Sequence, residues 1–399
     1  MNIDEIIEAY NLSDLIVNIR RSIHQNPELS EEEFETGKCI CRLLNGWDIE
    51  YEDCIATTGI VAIVRGEHPG KTIALRADMD ALPIDEETKL SFASQKKGIM
   101  HACGHDAHVA MLLVTCRVLS LMKGQLEGNV KFFFQPAEET VGGAKRMIQD
   151  GCMDNPKVDV VLGLHVEPSY ETGKVGIKYS KMYAASDIID ITIKGKGAHG
   201  AHPNEGIDTI AIAANIINGV NTVISRKISP LNSAVCTFGV IKGGTVRNQI
   251  ADCTILEGII RTLDQETRVD VREKIKSICN GICLAMGAEV DFHITESYAP
   301  LINNDSITDI VKDNAEELLG KSNVIIEKHP DLSCEDFSYF AIERPACYFH
   351  LGCYDEGSGL KVDLHHPKFT IDEKCMLIGV ELQVMNVLSM IGVGKTNEK

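Results

Sequence analysis

The chain has 399 residues, more than one hydrophobic core ordinarily serves, so two domains are expected. Its 58 acidic residues outnumber its 39 basic residues, and the net charge of −19 repels phosphate backbones and anionic lipids. Nucleic acid and membrane partners are therefore not expected, and no run approaches the roughly 20 apolar residues of a membrane-spanning helix. The acidic start, Met1–Glu5, lacks the order of a signal peptide, which favours a cytoplasmic location.

Fourteen cysteines are scattered along the chain, mostly within apolar stretches. A long chain with this distribution is more typical of buried free thiols in a reducing compartment than of a disulfide framework, which is the alternative.

The first part of the chain predicts a layered α/β domain. Helices are predicted over residues 4–25 and 31–44, with Ser30 as a possible N-cap and Glu33 at the capping-box position. The helix after His105 is apolar almost all round and should be buried against a sheet. Apolar, β-rich runs alternate with turns or helices at Ile60–Val64, Thr72–Ala77, Val130–Phe134 and Val158–Leu164.

Near residue 185 the pattern changes to the strand-helix-strand-strand-helix-strand order of a ferredoxin-like fold. The elements are predicted at Asp187–Lys194, Gly206–Arg226, Ala234–Ile241, Cys253–Arg261, Glu266–Met286 and Ala288–Glu296. The fold class is therefore α/β: a mixed-sheet α/β/α domain of residues 1–184 and 300–399, with a ferredoxin-like α+β domain of residues 185–299 inserted. The last residues, Gly394–Lys399, are expected to fray.

Residues that can bind metal are concentrated between Met100 and His108, where three histidines and a cysteine occur. A Cys-x-His pair, Cys103 and His105, can place sulfur and imidazole on one cation, and Gly104 allows the tight backbone between them. The alternative is a buried cysteine beside surface histidines.

Paired glutamates, Glu138 and Glu139, directly follow the apolar strand Val130–Phe134. Neighbouring side chains in extended backbone point in different directions, so one carboxylate can bind a metal while the other takes a proton from water. The alternative is a solvated acidic turn.

Two later histidine positions are ambiguous by themselves. His165 ends an apolar strand and could be a satisfied structural residue, and His365 and His366 precede Pro367. Side chains at the ends of several strands often converge on the active site of an α/β protein.

Taken together, these motifs resemble the aminoacylase and carboxypeptidase group of co-catalytic metallohydrolases. Within that group the chain is similar to the amidohydrolase branch, which includes hippurate hydrolases, N-acyl-amino acid deacylases and auxin-conjugate hydrolases. The resemblance covers nearly the whole chain through Arg20–Pro27, Leu75–Pro83, Met100–His108, Gln135–Glu139, Gly195–His199, Ser333–Phe337 and Leu364–Pro367.

The resemblance implies a deacylase that acts on N-acyl amino acids or small N-acylated peptides with two divalent metal ions. Zinc or manganese is expected, with cobalt or nickel as further possibilities. Glu138 would be the general base, and Asp78 would be a carboxylate that orients the site. The implied metal ligands are Cys103, His105, Glu139, His165 and His365.

The resemblance also implies that the inserted domain is a lid through which a homodimer forms. His199 would support the oxyanion in the neighbouring subunit's active site, and Asn248 would bind substrate. Arg261 lies near a position that holds the substrate carboxylate in relatives, although an exposed strand arginine is the alternative.

Three other functions are compatible with parts of this sequence pattern. A dipeptidase or aminopeptidase of the same fold differs only in what its pocket recognises. The spacing Gly195-x-Gly197-x-x-Gly200 matches a dinucleotide fingerprint and would suggest an NAD-dependent oxidoreductase, although the strand before it is half-polar and no acidic residue follows at the required distance. A non-catalytic metal-binding protein would not need Glu138.

Overall fold

The computed structural model describes residues 3–355, 357 and 361–391, and the chain forms two compact units. The first unit joins the chain up to Ser180 with Asn303–Lys328 and with the part that starts at Tyr339. The second unit joins Lys181–Ile302 with His329–Ser338, a segment that the predicted domain division assigned to the first domain. The predicted boundaries after residues 184 and 299 stay a prediction, and Gly394–Lys399 lies outside the described residues.

Helices and strands alternate along most of the described chain. The helices are α1 (Ile3–Ala9), α2 (Leu12–Gln25), α3 (Phe34–Gly46), α4 (His105–Leu121), α5 (Ala144–Gln149), α6 (Thr209–Arg226), α7 (Gln265–Ala285), α8 (Asp305–Leu319), α9 (Ser338–Glu343) and α10 (Cys375–Ile391). The strands are β1 (Glu50–Ile55), β2 (Gly59–Arg65), β3 (His68–Asp78), β4 (Glu127–Gln135), β5 (Val160–Glu171), β6 (Val175–Ile177), β7 (Lys181–Tyr183), β8 (Ala185–Lys194), β9 (Ala198–His199), β10 (Ala234–Gly243), β11 (Gln249–Ile250), β12 (Cys253–Thr262), β13 (Glu289–Glu296), β14 (Leu301–Ile302), β15 (Val324–Ile326) and β16 (Ala346–Tyr354).

The first unit is built on a mixed sheet of eight strands in the order β1-β2-β4-β3-β5-β16-β6-β15. The central strands β4, β3, β5 and β16 are parallel, and β2 and β6 pair antiparallel with the two outer members of this group. The carboxyl ends of parallel strands share one edge of a sheet, so residues that follow β3 and β4 are brought together there.

Alternation along β4 shows how the sheet separates two packed layers. Phe132 and Phe134 belong to the main core with α4 and α10. Phe133 points to the other face, where its ring centroid lies 5.4 Å from that of Phe340 in α9. Helix α4 is buried through most of its length, as its apolar sequence predicts. Among the described residues, no helix is both long and apolar enough to cross a bilayer.

Two local predictions for the N-terminal helices are wrong. The helix predicted over residues 4–25 breaks between α1 and α2, where Asn11 has a left-handed φ of 48°. Ser30 does not cap the next helix, because α3 begins only at Phe34 and the Ser30 hydroxyl donates to Asp80 instead. The Glu33 side chain makes no capping hydrogen bond. Its carboxylate accepts hydrogen bonds from Ala137 and Thr58 instead, which lie far from it in the sequence.

The second unit is a four-stranded antiparallel sheet in the order β10-β12-β8-β13, packed against α6 and α7. This order, with the predicted succession of elements, is that of a ferredoxin-like fold. The predicted fold class, α/β/α with an inserted ferredoxin-like domain, is therefore confirmed. The dinucleotide interpretation is contradicted, because the fingerprint requires a parallel strand and β8 is antiparallel to both of its neighbours.

A buried charge network holds the start of α4 against α2. The Arg20 guanidinium donates to Asp106 at 3.0 Å, and His24 Nδ1 lies 2.8 Å from the same carboxylate oxygen. His24 Nε2 lies 3.3 Å from Glu86 Oε1. Burial lowers the pKa of His24, but Asp106 and Glu86 outweigh burial and raise it to about 9.

This network predicts a loss of stability as the solution becomes alkaline. The folded-state pKa of His24 lies above the unfolded value of about 6.5, so its contribution is complete below pH 6.5 and disappears as the pH rises through 9. The contribution is on the order of 3 kcal/mol. Thermal unfolding midpoints should therefore differ most between the wild type and His24→Gln at pH 6 and converge by pH 9.5. A difference that is constant over this range would contradict the prediction.

Candidate metal centre

The predicted metal donors come from four separate places in the first unit. Glu139, beside the predicted general base Glu138, follows the end of β4. His165 lies within β5, which does not end there as predicted but continues to Glu171. Cys103 and His105 lie just before and at the start of α4. His365 lies in a loop and has a left-handed φ of 62°, and its N–H donates to the carbonyl of Ala102, which ties the loop to the Cys103 segment.

The five predicted donor side chains lie together. Cys103 Sγ is 3.4 Å from His165 Nε2 and 3.3 Å from His365 Nε2. Glu139 Oε1 is 3.2 Å from His365 Nε2 and 3.9 Å from His105 Nε2. Donor atoms of Cys103, Glu139 and His365 lie within 4.8 Å of one another. The fold therefore brings donors that are as far apart in the sequence as Cys103 and His365 into one cluster.

The hydrogen bonds of two histidines leave their Nε2 atoms ready to bind a cation. His105 Nδ1 donates to the carbonyl of Asp80 at 2.9 Å, and His165 Nδ1 donates to the carbonyl of Val166 at 2.7 Å. Because a carbonyl oxygen only accepts, each ring carries its proton on Nδ1. His105 Nε2 is buried and has no hydrogen-bond partner among the described residues. A buried imidazole nitrogen that lies 3.7 Å from Asp78 and 3.9 Å from Glu139 fits a metal ligand.

His108 belongs to the same motif but is not available as a ligand. Its Nε2 accepts the backbone N–H of Val166 at 3.0 Å, so its Nδ1 carries the proton and donates to Asp78 at 2.6 Å. Both ring nitrogens are occupied, and the ring packs beside that of His165. His108 supports the cluster and does not extend the donor set.

Glycine is required between Cys103 and His105. Gly104 has a φ of 88°, and a Cβ at this position would lie 2.4 Å from Cγ2 of Val166. Any larger residue would move the thiol, the first turn of α4, or both.

The electrostatics of the cluster require positive charge. Burial raises the pKa of the Cys103 thiol, and the carboxylates of Glu139, Glu138 and Asp78 raise it further. Burial lowers the pKa of His105, but Asp78, Asp80 and Glu139 outweigh burial and raise it to about 10. A bound cation reverses both tendencies, because it stabilises a thiolate and replaces the proton on imidazole. The donors are sufficient for a pair of divalent ions.

Two aspartates on either side of Met79 support the cluster in different ways. Asp78, the predicted orienting residue, accepts hydrogen bonds from His108 and Arg76 and lies 3.7 Å from His105 Nε2. Asp80, for which the sequence predicted no role, contacts two of the donor residues directly. Its Oδ2 accepts the backbone N–H of Glu139 at 3.0 Å, and its Oδ1 lies 3.2 Å from His105 Nδ1.

The three predicted site residues of the second unit fall into two groups. His199 and Asn248 are exposed neighbours, because β9 pairs with β11 and Gly200 N–H donates to the Asn248 carbonyl at 2.8 Å. Arg261 lies on β12, opposite Val235 and Ser186 on the adjacent strands, and is half-buried. Their roles stay predictions.

Comparison with known proteins places the chain in a family. Residues 74–386 match the profile of Peptidase family M20/M25/M40. The chain is 39% identical over 380 residues to the N-acetyl-L-cysteine deacetylase of Bacillus subtilis (strain 168), and the match covers 94% of this chain and 89% of the relative. It is 39% identical over 376 residues to the thermostable carboxypeptidase 2 of Saccharolobus solfataricus, with 93% and 94% of the two chains covered.

A solved structure gives the same result. The crystal structure of the YxeP protein of Bacillus subtilis, a dinuclear metal binding peptidase from the M20 family, has a TM-score of 0.83 to this protein at 32% identity. The match covers 96% of this chain and 99% of that one. With its cluster of donor side chains, the protein is a metal-dependent hydrolase of amide bonds. It belongs to Peptidase family M20/M25/M40, which confirms the predicted resemblance.

Proposed function

We propose that the protein removes the acyl group from N-acylated amino acids or small N-acylated peptides. The observation that carries the proposal is the position of Glu138. Its carboxylate is buried and lies within 4.8 Å of the donor atoms of His105 and Glu139. A site that only stored metal would not need a second carboxylate beside the ligand Glu139.

Two divalent ions are held in this proposal by the clustered donors of Cys103, His105, Glu139, His165 and His365. When bound, the ions lower the pKa of a water molecule toward neutrality and polarise the substrate carbonyl. The thiolate favours zinc, and the oxygen and imidazole donors also suit manganese, cobalt or nickel.

Glu138 moves the proton in this reaction. It takes a proton from the attacking water and returns it to the departing nitrogen, so the amine leaves as a neutral group. Asp80 keeps the His105 ring and the Glu139 backbone in place while this occurs, because it accepts hydrogen bonds from both.

The second unit supplies substrate contacts in the proposal. His199 supports the oxyanion from a neighbouring subunit, Asn248 binds the substrate, and Arg261 receives its carboxylate. The pairing of β9 with β11 supports a joint role for the first two, and the exposure of His199 leaves it accessible to a second subunit. A homodimer is part of this proposal, and so is a cytoplasmic location, where the fourteen cysteines would stay reduced.

One relative is named a carboxypeptidase, so peptidase activity is the alternative to deacylation. A comparison of two kinds of substrate distinguishes the two activities. The purified protein, supplied in turn with zinc, manganese, cobalt and nickel, is assayed with N-acetyl amino acids and with free dipeptides of the same residues. We expect kcat/KM for the N-acetyl compounds to exceed that for the dipeptides by at least about tenfold. A preference for dipeptides with every metal would replace the deacylase proposal with that of a peptidase.

A further inference from the structure

The turn that carries the two glutamates has an unusual backbone. Ala137, directly before Glu138, is fully buried and has a left-handed φ of 56°. Residues other than glycine, asparagine and aspartate rarely adopt this conformation, so the surrounding structure must impose it. Ala137 lies between the end of β4 and the two glutamates, so its backbone conformation helps to set the direction in which Glu138 and Glu139 leave the strand.

A remote glutamate provides the constraint. Glu33, at the start of α3 and 104 residues earlier in the chain, is fully buried, and its Oε1 accepts the N–H of Ala137 at 2.9 Å. Its Oε2 accepts the hydroxyl of Thr58 at 2.6 Å. Both carboxylate oxygens are therefore used in tertiary contacts, and neither caps the helix on which Glu33 lies.

We propose that Glu33 is a positioning residue: its carboxylate holds Ala137 in the left-handed conformation and thereby sets the directions of Glu138 and Glu139. The inference rests on the proposed function, in which Glu138 moves the proton and Glu139 binds metal. Asp80 complements this role from the other side of the turn, since it accepts the N–H of Glu139.

The rest of the turn is tightly packed near the hydrogen bond between Ala137 and Glu33. Gly142 N–H donates to the Ala137 carbonyl at 3.0 Å, and a Cβ on Gly143 would lie 1.9 Å from the Pro136 carbonyl oxygen. A Cβ on Gly59 would lie 2.8 Å from the Pro136 ring. The turn has no room to relax without moving the two glutamates, so loss of the Glu33 contact is transmitted to them.

The contact with Ala137 needs an acceptor oxygen on Glu33 and not its charge, and the pKa of this buried carboxyl group lies above its usual value. Burial raises the pKa of Glu33, and the hydrogen bonds from Thr58 and Ala137 oppose that rise because they stabilise the carboxylate. A neutral side chain with an oxygen in the same place retains the essential contact, whereas one without an acceptor leaves the buried Ala137 N–H unpaired.

Two substitutions of nearly equal size test the inference. Glu33→Gln keeps an oxygen that can accept the Ala137 N–H, and Glu33→Met has similar volume but no such acceptor. We expect kcat of Glu33→Met to fall by about 100-fold with KM within about threefold of the wild type, because a displacement of about 1 Å at a reacting group has an effect of this size. Glu33→Gln should retain kcat within about tenfold.

Thr58→Val is the matched control, since it removes the other hydrogen bond of the same carboxylate and leaves the Ala137 bond intact. Its kcat should stay close to that of the wild type. Equal losses in Glu33→Met and Glu33→Gln, or a loss in Thr58→Val as large as in Glu33→Met, would show a general packing role and overturn the inference. If Glu33→Met does not fold, Glu33→Asp, which keeps the charge but loses the reach, takes its place.

Metal affinity gives a measurement that does not depend on the substrate. Competition with a chelator should show zinc binding about 10- to 100-fold weaker in Glu33→Met than in Glu33→Gln, because Glu139 is displaced. A wild type that binds zinc but hydrolyses no N-acyl amino acid would reject the proposed function, and the affinity ratio would still decide the role of Glu33. If Glu33→Met and Glu33→Gln have equal zinc affinities and equal kcat values, the positioning role of Glu33 is rejected and the proposed function is not affected.

Discussion

Glu138→Gln is expected to lower kcat by about 10³-fold and to leave the metal content of the protein unchanged. Glutamine has nearly the same shape as glutamate, so the buried turn after β4 can keep its packing. The amide cannot accept a proton from water at neutral pH, and the reaction loses its general base. The five donor side chains of the cluster are untouched by the substitution.

The measurement combines steady-state kinetics on an N-acetyl amino acid with elemental analysis of the same preparation. Glu127→Gln, at the start of the same strand, is the matched control and should retain wild-type values for both. A variant that keeps more than a tenth of the wild-type kcat would remove Glu138 from the proton-transfer role. Loss of one metal ion together with the activity would instead make Glu138 a ligand, which its distance from His105 and Glu139 permits.

The sequence predicted the elements that depend on local pattern. The strands and helices predicted for the second unit agree with β8, α6, β10, β12, α7 and β13 to within a few residues. The edge strand β1 was missed, because its residues are mostly exposed and polar and show no alternation. The late strand β16 is buried throughout, so it has no period-two pattern to detect, and no prediction was made for it.

Part of the site could be predicted because two of its donors directly follow apolar runs in the sequence, although β5 continues past His165 to Glu171. Glu139 and His165 were found by their place at the ends of apolar runs, and the structure puts both beside Cys103 and His365. The supporting residues could not be assigned in the same way. Asp78 and Asp80 are two positions apart, and only the packing of α4 decides which of them contacts His105 Nδ1.

Glu33 shows most clearly what a local sequence pattern cannot predict. Ser30 and Glu33 match a helix-capping pattern, and that pattern is a statement about neighbours along the chain. In the folded protein the same two side chains bind Asp80 and Ala137, partners that lie 50 and 104 residues away. A local pattern has no information on such partners, so the prediction was wrong where the residues serve the site.

Cys103→Ala is expected to remove most of the bound metal and at least about 10³-fold of kcat, whereas Cys103→Asp should retain metal and part of the activity. The thiol is central to the cluster, since its Sγ lies within 3.4 Å of both His165 Nε2 and His365 Nε2. A thiolate between these two imidazoles would help to hold both ions, so its loss should lower the content of each. Aspartate restores a negatively charged donor of similar reach, although oxygen is a harder ligand than sulfur.

Cys116→Ala is the control for this prediction, because Cys116 is also buried but lies about three helical turns further along α4. It should lose some stability and keep its metal. Elemental analysis and kcat would be measured for all three variants after supplementation with zinc and, separately, with manganese. Because sulfur favours zinc more than manganese, the ratio of bound zinc to bound manganese should fall in Cys103→Asp. Full metal content in Cys103→Ala would show that the thiol is not a ligand, and the central position that the geometry gives it would then have to be explained by packing alone.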